Sequence, residues 1–118
     1  MVIGTTPTYS ITLNNFNISR ARTVIFVFTQ GEDDVRIHKT GSEVHISKAG
    51  VISTRLEQHE TLRFRPNKLM NFGLIVVDKN GNRFETPIFT ETVEPGLYGG
   101  IVAMGTLTPD DVVHPGQA

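Results

Sequence analysis

The chain has 118 residues and a mass of 13.0 kDa, enough for one domain that buries a core without a metal or a disulfide. It contains no cysteine, which excludes both a disulfide framework and a thiolate metal site. Eleven Lys and Arg against twelve Asp and Glu give a net charge of −1, without the broad basic footprint of a nucleic-acid-binding domain.

The opening MVIGTTPTYS has neither the basic start nor the apolar run of a signal peptide. The longest apolar run, residues 24–28, falls far short of the ~20 residues that span a bilayer. The expectation is a protein made in a cytoplasm. Tyr9, Ile11 and Leu13 alternate with Ser10, Thr12 and Asn14, the period of a strand with one buried face. Asn14-Asn15-Phe16-Asn17 breaks that period as a turn. Residues 23–29 are β-branched and aromatic almost throughout, predicting a central strand covered on both faces or nearly so. Gln30-Gly31-Glu32-Asp33-Asp34 reads as a hairpin tip. Val35, Ile37 and Lys39 then alternate with Arg36 and His38. Thr40-Gly41-Ser42 turns the chain, Val44-His45-Ile46-Ser47 is a short strand, and Lys48-Ala49-Gly50 turns it again.

Ile52, Thr54 and Leu56 alternate with Val51, Ser53 and Arg55, and residues 56–62 are helix-like for one or two turns, predicting a corner between two sheets. Leu62 and Phe64 alternate with Arg63 and Arg65 until Pro66. Phe72, Leu74 and Val76 begin the clearest hairpin, which turns through Asp78-Lys79-Asn80-Gly81-Asn82 and returns through Phe84, Thr86 and Ile88. Asn-Gly suits such a turn because both residues accept a positive φ. Pro87 lacks an N–H and assigns the return strand to a sheet edge. Runs separated by eight to twelve residues predict an all-β fold, a single Ig-like antiparallel sandwich of seven or eight short strands over residues 8–93. Residues 1–7 read as an N-terminal arm. Residues 94–118 carry five Gly, three Pro, three acidic side chains and no Lys or Arg, a net −3 against +2 for the rest. Leu97, Tyr98, Ile101, Val102, Met104 and Leu107 are more apolar than a plain linker needs, and predict an arm that docks on a neighbour, the alternative being a floppy tail in the isolated protein.

Residues that might carry chemistry are few. His38 and His45 fall on neighbouring predicted strands, but a zinc site needs three or four converging ligands. His59, between Gln58 and Glu60, reads as a solvated loop residue, and His114 is the fourth histidine. Glu32-Asp33-Asp34 lacks the spaced donors of a calcium loop. No serine sits in a Gly-flanked elbow, and no Gly-rich loop leads from a strand into a helix. The pairs Arg20 with Arg22 and Arg63 with Arg65, if on strands, would each face one side. The expectation is a chain without catalytic residues, cofactor or metal.

Three stretches together resemble a group of small proteins of phages and prophages of Gram-positive gut bacteria. The first is Gly4-Thr5-Thr6-Pro7-Thr8-Tyr9, followed by an alternating strand and Phe16. The second is the run from Val51 through Gln58-His59-Glu60-Thr61 to Leu62-Arg63-Phe64. The third is Leu69 to Ile88, a strand, an Asn-Gly turn and a return strand. The resemblance covers about residues 4–93 and implies a small virion structural protein from the tail and baseplate gene region. Its implied partners are other virion proteins and copies of itself, with no nucleic acid, membrane or small-molecule substrate. No catalytic residues carry over. Typical members end sooner after the last strand, so the segment beyond Glu94 departs from the pattern. A capsid decoration protein would use the same fold on the head. A carbohydrate- or receptor-binding module would need exposed aromatic platforms, and the chain has no Trp and only Tyr9 and Tyr98.

Overall fold

Two antiparallel sheets pack face to face, giving the all-β sandwich that the strand spacing predicts. The computed structural model describes residues 1–14, 16–97 and 99–102; Asn15, Tyr98, Met104, Leu107 and His114 lie outside them. Among the described residues there are eight strands: β1 (Thr8–Thr12), β2 (Ala21–Gln30), β3 (Val35–Thr40), β4 (Val44–Ile46), β5 (Val51–Arg55), β6 (Leu69–Asp78), β7 (Arg83–Glu85) and β8 (Phe89–Thr92). One sheet has the order β1-β5-β4. The other has the order β3-β2-β6, with β7 and β8 sharing the far side of β6. Two single helical turns, α1 (Gly31–Asp34) and α2 (Gln58–Thr61), join β2 to β3 and carry the chain from β5 across to β6.

The period of two fixes what is buried. Tyr9 and Ile11 of β1 and Ile52 of β5 face Val24, Phe26 and Phe28 of β2, Val35 and Ile37 of β3, and Met70, Leu74 and Val76 of β6. The Phe26 and Phe28 rings stack at 5.1 Å, and Phe28 meets Tyr9 of the opposite sheet edge-on at 5.2 Å. The second face of β2 is half-buried rather than covered, because no layer lies beyond Ile25 and Val27 among the described residues.

Several local readings are corrected. Leu62 to Arg65 is no strand: Arg63 and Phe64 N–H donate to Glu60 and Thr61 C=O and prolong the helical turn, which points Phe64 into the core. Arg63 and Arg65 therefore share no strand face, and Arg20 sits in a 3-10 turn (Ile18–Arg20) ahead of Arg22 on β2. Gln30 is not part of a solvated tip. It ends β2 buried, and its side-chain amide accepts from Arg65 N–H (2.6 Å) and donates to Arg65 C=O (2.8 Å), as a paired strand would. In the β6–β7 turn only Gly81 takes a positive φ (84°). The Asp78 carboxylate shapes that turn, accepting from Asn80 N–H (2.9 Å) and Asn82 N–H (2.8 Å). Those bonds, the one from Asn82 foremost, hold its pKa below the ordinary carboxylate range.

The return strand beyond Phe84 also differs. Ile75 pairs with Glu85 while Phe72 pairs with Phe89, so three residues on the edge oppose two on β6. Thr86-Pro87-Ile88 is that bulge. Thr86 N–H donates to Leu74 C=O and its Oγ1 accepts from Leu74 N–H (2.9 Å). The bulge lies so close to Gly73 that a Cβ there would stand 3.0 Å from Thr86 Oγ1.

Candidate functional site

The two sheets end in four edges, β1, β4, β3 and β7–β8, and these differ in how they are closed to other chains. A free edge presents unpaired N–H and C=O groups, and soluble sandwiches blunt such edges with charge, brevity, proline or bulges. Here β3 carries Arg36 and His38 outward and Lys39 inward. Only three residues make up β4. The β7–β8 edge has the Pro87 bulge, and residues 1–3 cover its end. There the Met1 ammonium donates to Thr92 C=O (2.9 Å) and pairs with Glu91 (2.7 Å), while Val2 forms a parallel bridge with Glu94. Gly96 then passes so close to Ile3 that a Cβ would lie 2.6 Å from its carbonyl oxygen. Residues 1–7 thus lie against the sandwich, and Gly4 N–H donates to Thr61 Oγ1 (2.9 Å), which in turn donates to Thr5 C=O (2.8 Å).

The remaining edge, β1, has none of these devices. Its sequence Thr-Tyr-Ser-Ile-Thr is uncharged, free of proline and unbulged. Leu13 N–H donates to Gly50 C=O and Leu56 N–H to Pro7 C=O. Residues 7, 9, 11 and 13 are therefore the ones bonded across to β5, and the amides and carbonyls of Thr8, Ser10 and Thr12 point outward. No described residue pairs them.

Beside β1 the two sheets part. A groove of about 420 Å³ opens between β1 and the β7–β8 edge, with Ile11, Leu13, Phe16, Val76, Phe84 and Phe89 in its walls. Phe16 and Phe84 meet edge-on at 5.6 Å, and Phe84 and Phe89 keep 47 % and 39 % of their surface exposed. Tyr9 lies deeper, its hydroxyl buried without a hydrogen-bond partner among the described residues. Burial pushes its phenol pKa far up, and the nearby Glu91 carboxylate adds to the shift. Since folding raises this pKa, Tyr9 leaves stability independent of pH below the ordinary tyrosine value of about 10 and lowers it as pH rises above that value, where the unfolded chain ionises first. Tyr9→Phe keeps the ring contacts and removes the orphan hydroxyl. It is expected to leave the fold as stable or about 1 kcal/mol more stable in urea unfolding, and to flatten the alkaline decline. A loss of more than 1 kcal/mol would instead assign stability to a Tyr9–Glu91 bond.

The structure places the other sequence candidates apart. His38 and His45 lie on different sheets and on opposite outer faces of the sandwich, since β3 and β4 part company at the 3-10 turn Gly41–Glu43. No group of three or more His, Asp or Glu is positioned to hold a metal among the described residues. Glu32 and Asp34 are exposed on α1, and Arg65 reaches Asp34 only loosely at 3.9 Å. Of the apolar arm residues, Leu97 is fully exposed, and Ile101 and Val102 are 61 % and 62 % exposed. Sequence reasoning missed the residue that holds this arm. Gln58 of α2 donates to Val102 C=O (3.0 Å) and accepts from Val102 N–H (2.8 Å). It missed β1 as well, although the lack of charge at residues 8–12 was legible. No protein-family model and no curated protein matches this chain. The class of protein is thus defined by its fold and edges alone: a small antiparallel sandwich with one unguarded edge and with Leu97, Ile101 and Val102 exposed beyond its last strand.

Proposed function

We propose that the chain is a structural component of a phage or prophage particle, of the tail or baseplate, that assembles with copies of itself through its C-terminal arm. The observation that carries the self-assembly is the exposure of Leu97, Ile101 and Val102, on a segment that, among the described residues, Gln58 ties to the body at Val102. A chain that shows water such a run of apolar side chains gains by burying them on a neighbour. The resemblance of residues 4–93 supports the particle and its tail region. Heterologous contacts repeated by rotation close into rings, where weak contacts add up.

The test is the solution mass by light scattering over a concentration series, for the full chain and for a chain stopped after Gly96. The stop point keeps the Glu94 bonds to Met1 and Ile3 and the Gly96 contact with Ile3. The full chain is expected to form one discrete larger species and the shortened chain to stay monomeric. Monomers from both at every concentration would overturn the reading.

A further inference from the structure

We propose that β1 is the docking site for the arm, and that residues 101–107 of a second copy pair with it as an added strand. This names the contact surface of the assembly proposed above and rests on that reading.

Three observations converge on the site. The outward N–H and C=O groups of Thr8, Ser10 and Thr12 form a ready ladder that no described residue uses. Each other edge is guarded by a charge, a bulge or brevity, so β1 is where an incoming strand meets least opposition. The groove alongside is apolar and lies where the inward side chains of an added strand would fall, between β1 and Phe84 and Phe89 of the facing sheet. Adding a strand to β1 would therefore close the sandwich on its open side.

The occupant is chosen from the chain's own sequence. Ile-Val-Ala-Met-Gly-Thr-Leu, residues 101–107, is free of charge and proline, and Pro109 follows two residues later. A strand of this length spans about 23 Å, enough to run the five residues of β1 and reach Leu13. Either alternating set of its side chains, Ile101, Ala103 and Leu107 or Val102 and Met104, is apolar enough to face the groove. Main-chain bonds would supply affinity and the groove would select the side chains, the logic of strand addition.

Direction favours a second copy over the same chain. Gln58 holds Val102 at the α2 end of the sandwich. Strand β1 starts at that same end, since Thr8 pairs with Arg55 and Thr61 of α2 bonds to Gly4 and Thr5. A segment running on from Val102 of the same chain would lie parallel to β1. A neighbour's segment can enter from the far end and pair antiparallel, the stronger arrangement and the one both sheets already use.

The test uses the full chain and two variants. Ser10→Pro removes an outward amide from β1 and leaves the bonds to β5 in place, as edge strands tolerate. Ile101→Asp with Met104→Asp charges the arm and leaves the sandwich untouched. Each variant alone is expected to be monomeric at concentrations where the full chain assembles. An equal mixture is expected to give a dimer, because one variant keeps the arm and the other keeps the edge. Recovery of this dimer also shows that Ser10→Pro still presents a working arm. Hydrogen exchange at Ser10 and Thr12 in the full chain is expected to slow at least tenfold as concentration rises into the assembly range. Assembly with these amides unprotected would overturn docking at β1 and leave the self-assembly reading standing. Protection in the monomer would overturn the second copy in favour of the chain's own arm. A full chain that stays monomeric with unprotected amides would overturn both proposals.

Discussion

Glu60→Ala is expected to destabilise the domain by about 3–5 kcal/mol, and adding Lys39→Met is expected to recover most of that loss. Lys39 points inward from β3 and is 4 % exposed. Its ammonium pairs with Glu60 of α2, whose side chain is 13 % exposed, while Glu43 stands further off at 3.6 Å. Removing the Glu60 carboxylate leaves a cation in the interior with, among the described residues, only that distant, half-exposed partner. It also removes the acceptor for Glu57 N–H (2.9 Å), which caps α2 and is worth a further ~1 kcal/mol. Methionine at position 39 fills the same space without a charge, so the orphan is gone and only the lost cap remains. Urea midpoints for the two single variants and the double variant measure this coupling. Losses that simply add would show that the pair contributes through packing alone.

Phe28→Ala is expected to cost about 3–5 kcal/mol, a large share of the 5–15 kcal/mol that holds a domain of this size. Phe28 has no exposed surface. Its ring stacks on Phe26 at 5.1 Å, meets Tyr9 at 5.2 Å and approaches Phe72 at 6.0 Å, so it joins the middle of the large sheet to the edge strand of the small one. The cavity left behind would be lined from both sheets and could not collapse without moving one against the other. Phe28→Leu should cost markedly less, because it keeps most of the volume. The measurement is the urea midpoint at constant slope. A loss under 1 kcal/mol for the alanine variant would mean that the sheets close over the gap.

Both predictions depend on residues that the sequence presents unequally. Phe28 is legible: it sits in an unbroken β-branched and aromatic run, and burial follows from the cost of leaving such a strand in water. Lys39 is half legible. The alternation with Val35 and Ile37 assigns it to the inner face, but nothing local reveals that Glu60, on a turn between two later strands, would be there to meet it. The same holds for Gln30 and Arg65 and for Gln58 and Val102, where a side-chain amide stands in for a missing strand. Such pairings join residues 35 and 44 positions apart, and composition carries no trace of them.

By itself the sequence determined where most of the strands lie, which face of each is apolar, most of the turns and that Pro87 lies on an edge. Those features follow from side-chain period, β-branching and the φ limits of proline and glycine, all of which act over a few residues. It could not determine that β3 and β4 belong to different sheets, that Leu62 to Arg65 prolongs a helical turn, or that residues 1–3 lie along the end of the β7–β8 edge. Strand pairing is a choice among alternatives with the same local pattern, and it is made by the packing of both sheets at once. Only the tertiary structure therefore decided which edges are guarded. It put an inward lysine on one, three residues on another and a bulge on a third, and it left β1 open beside an apolar groove.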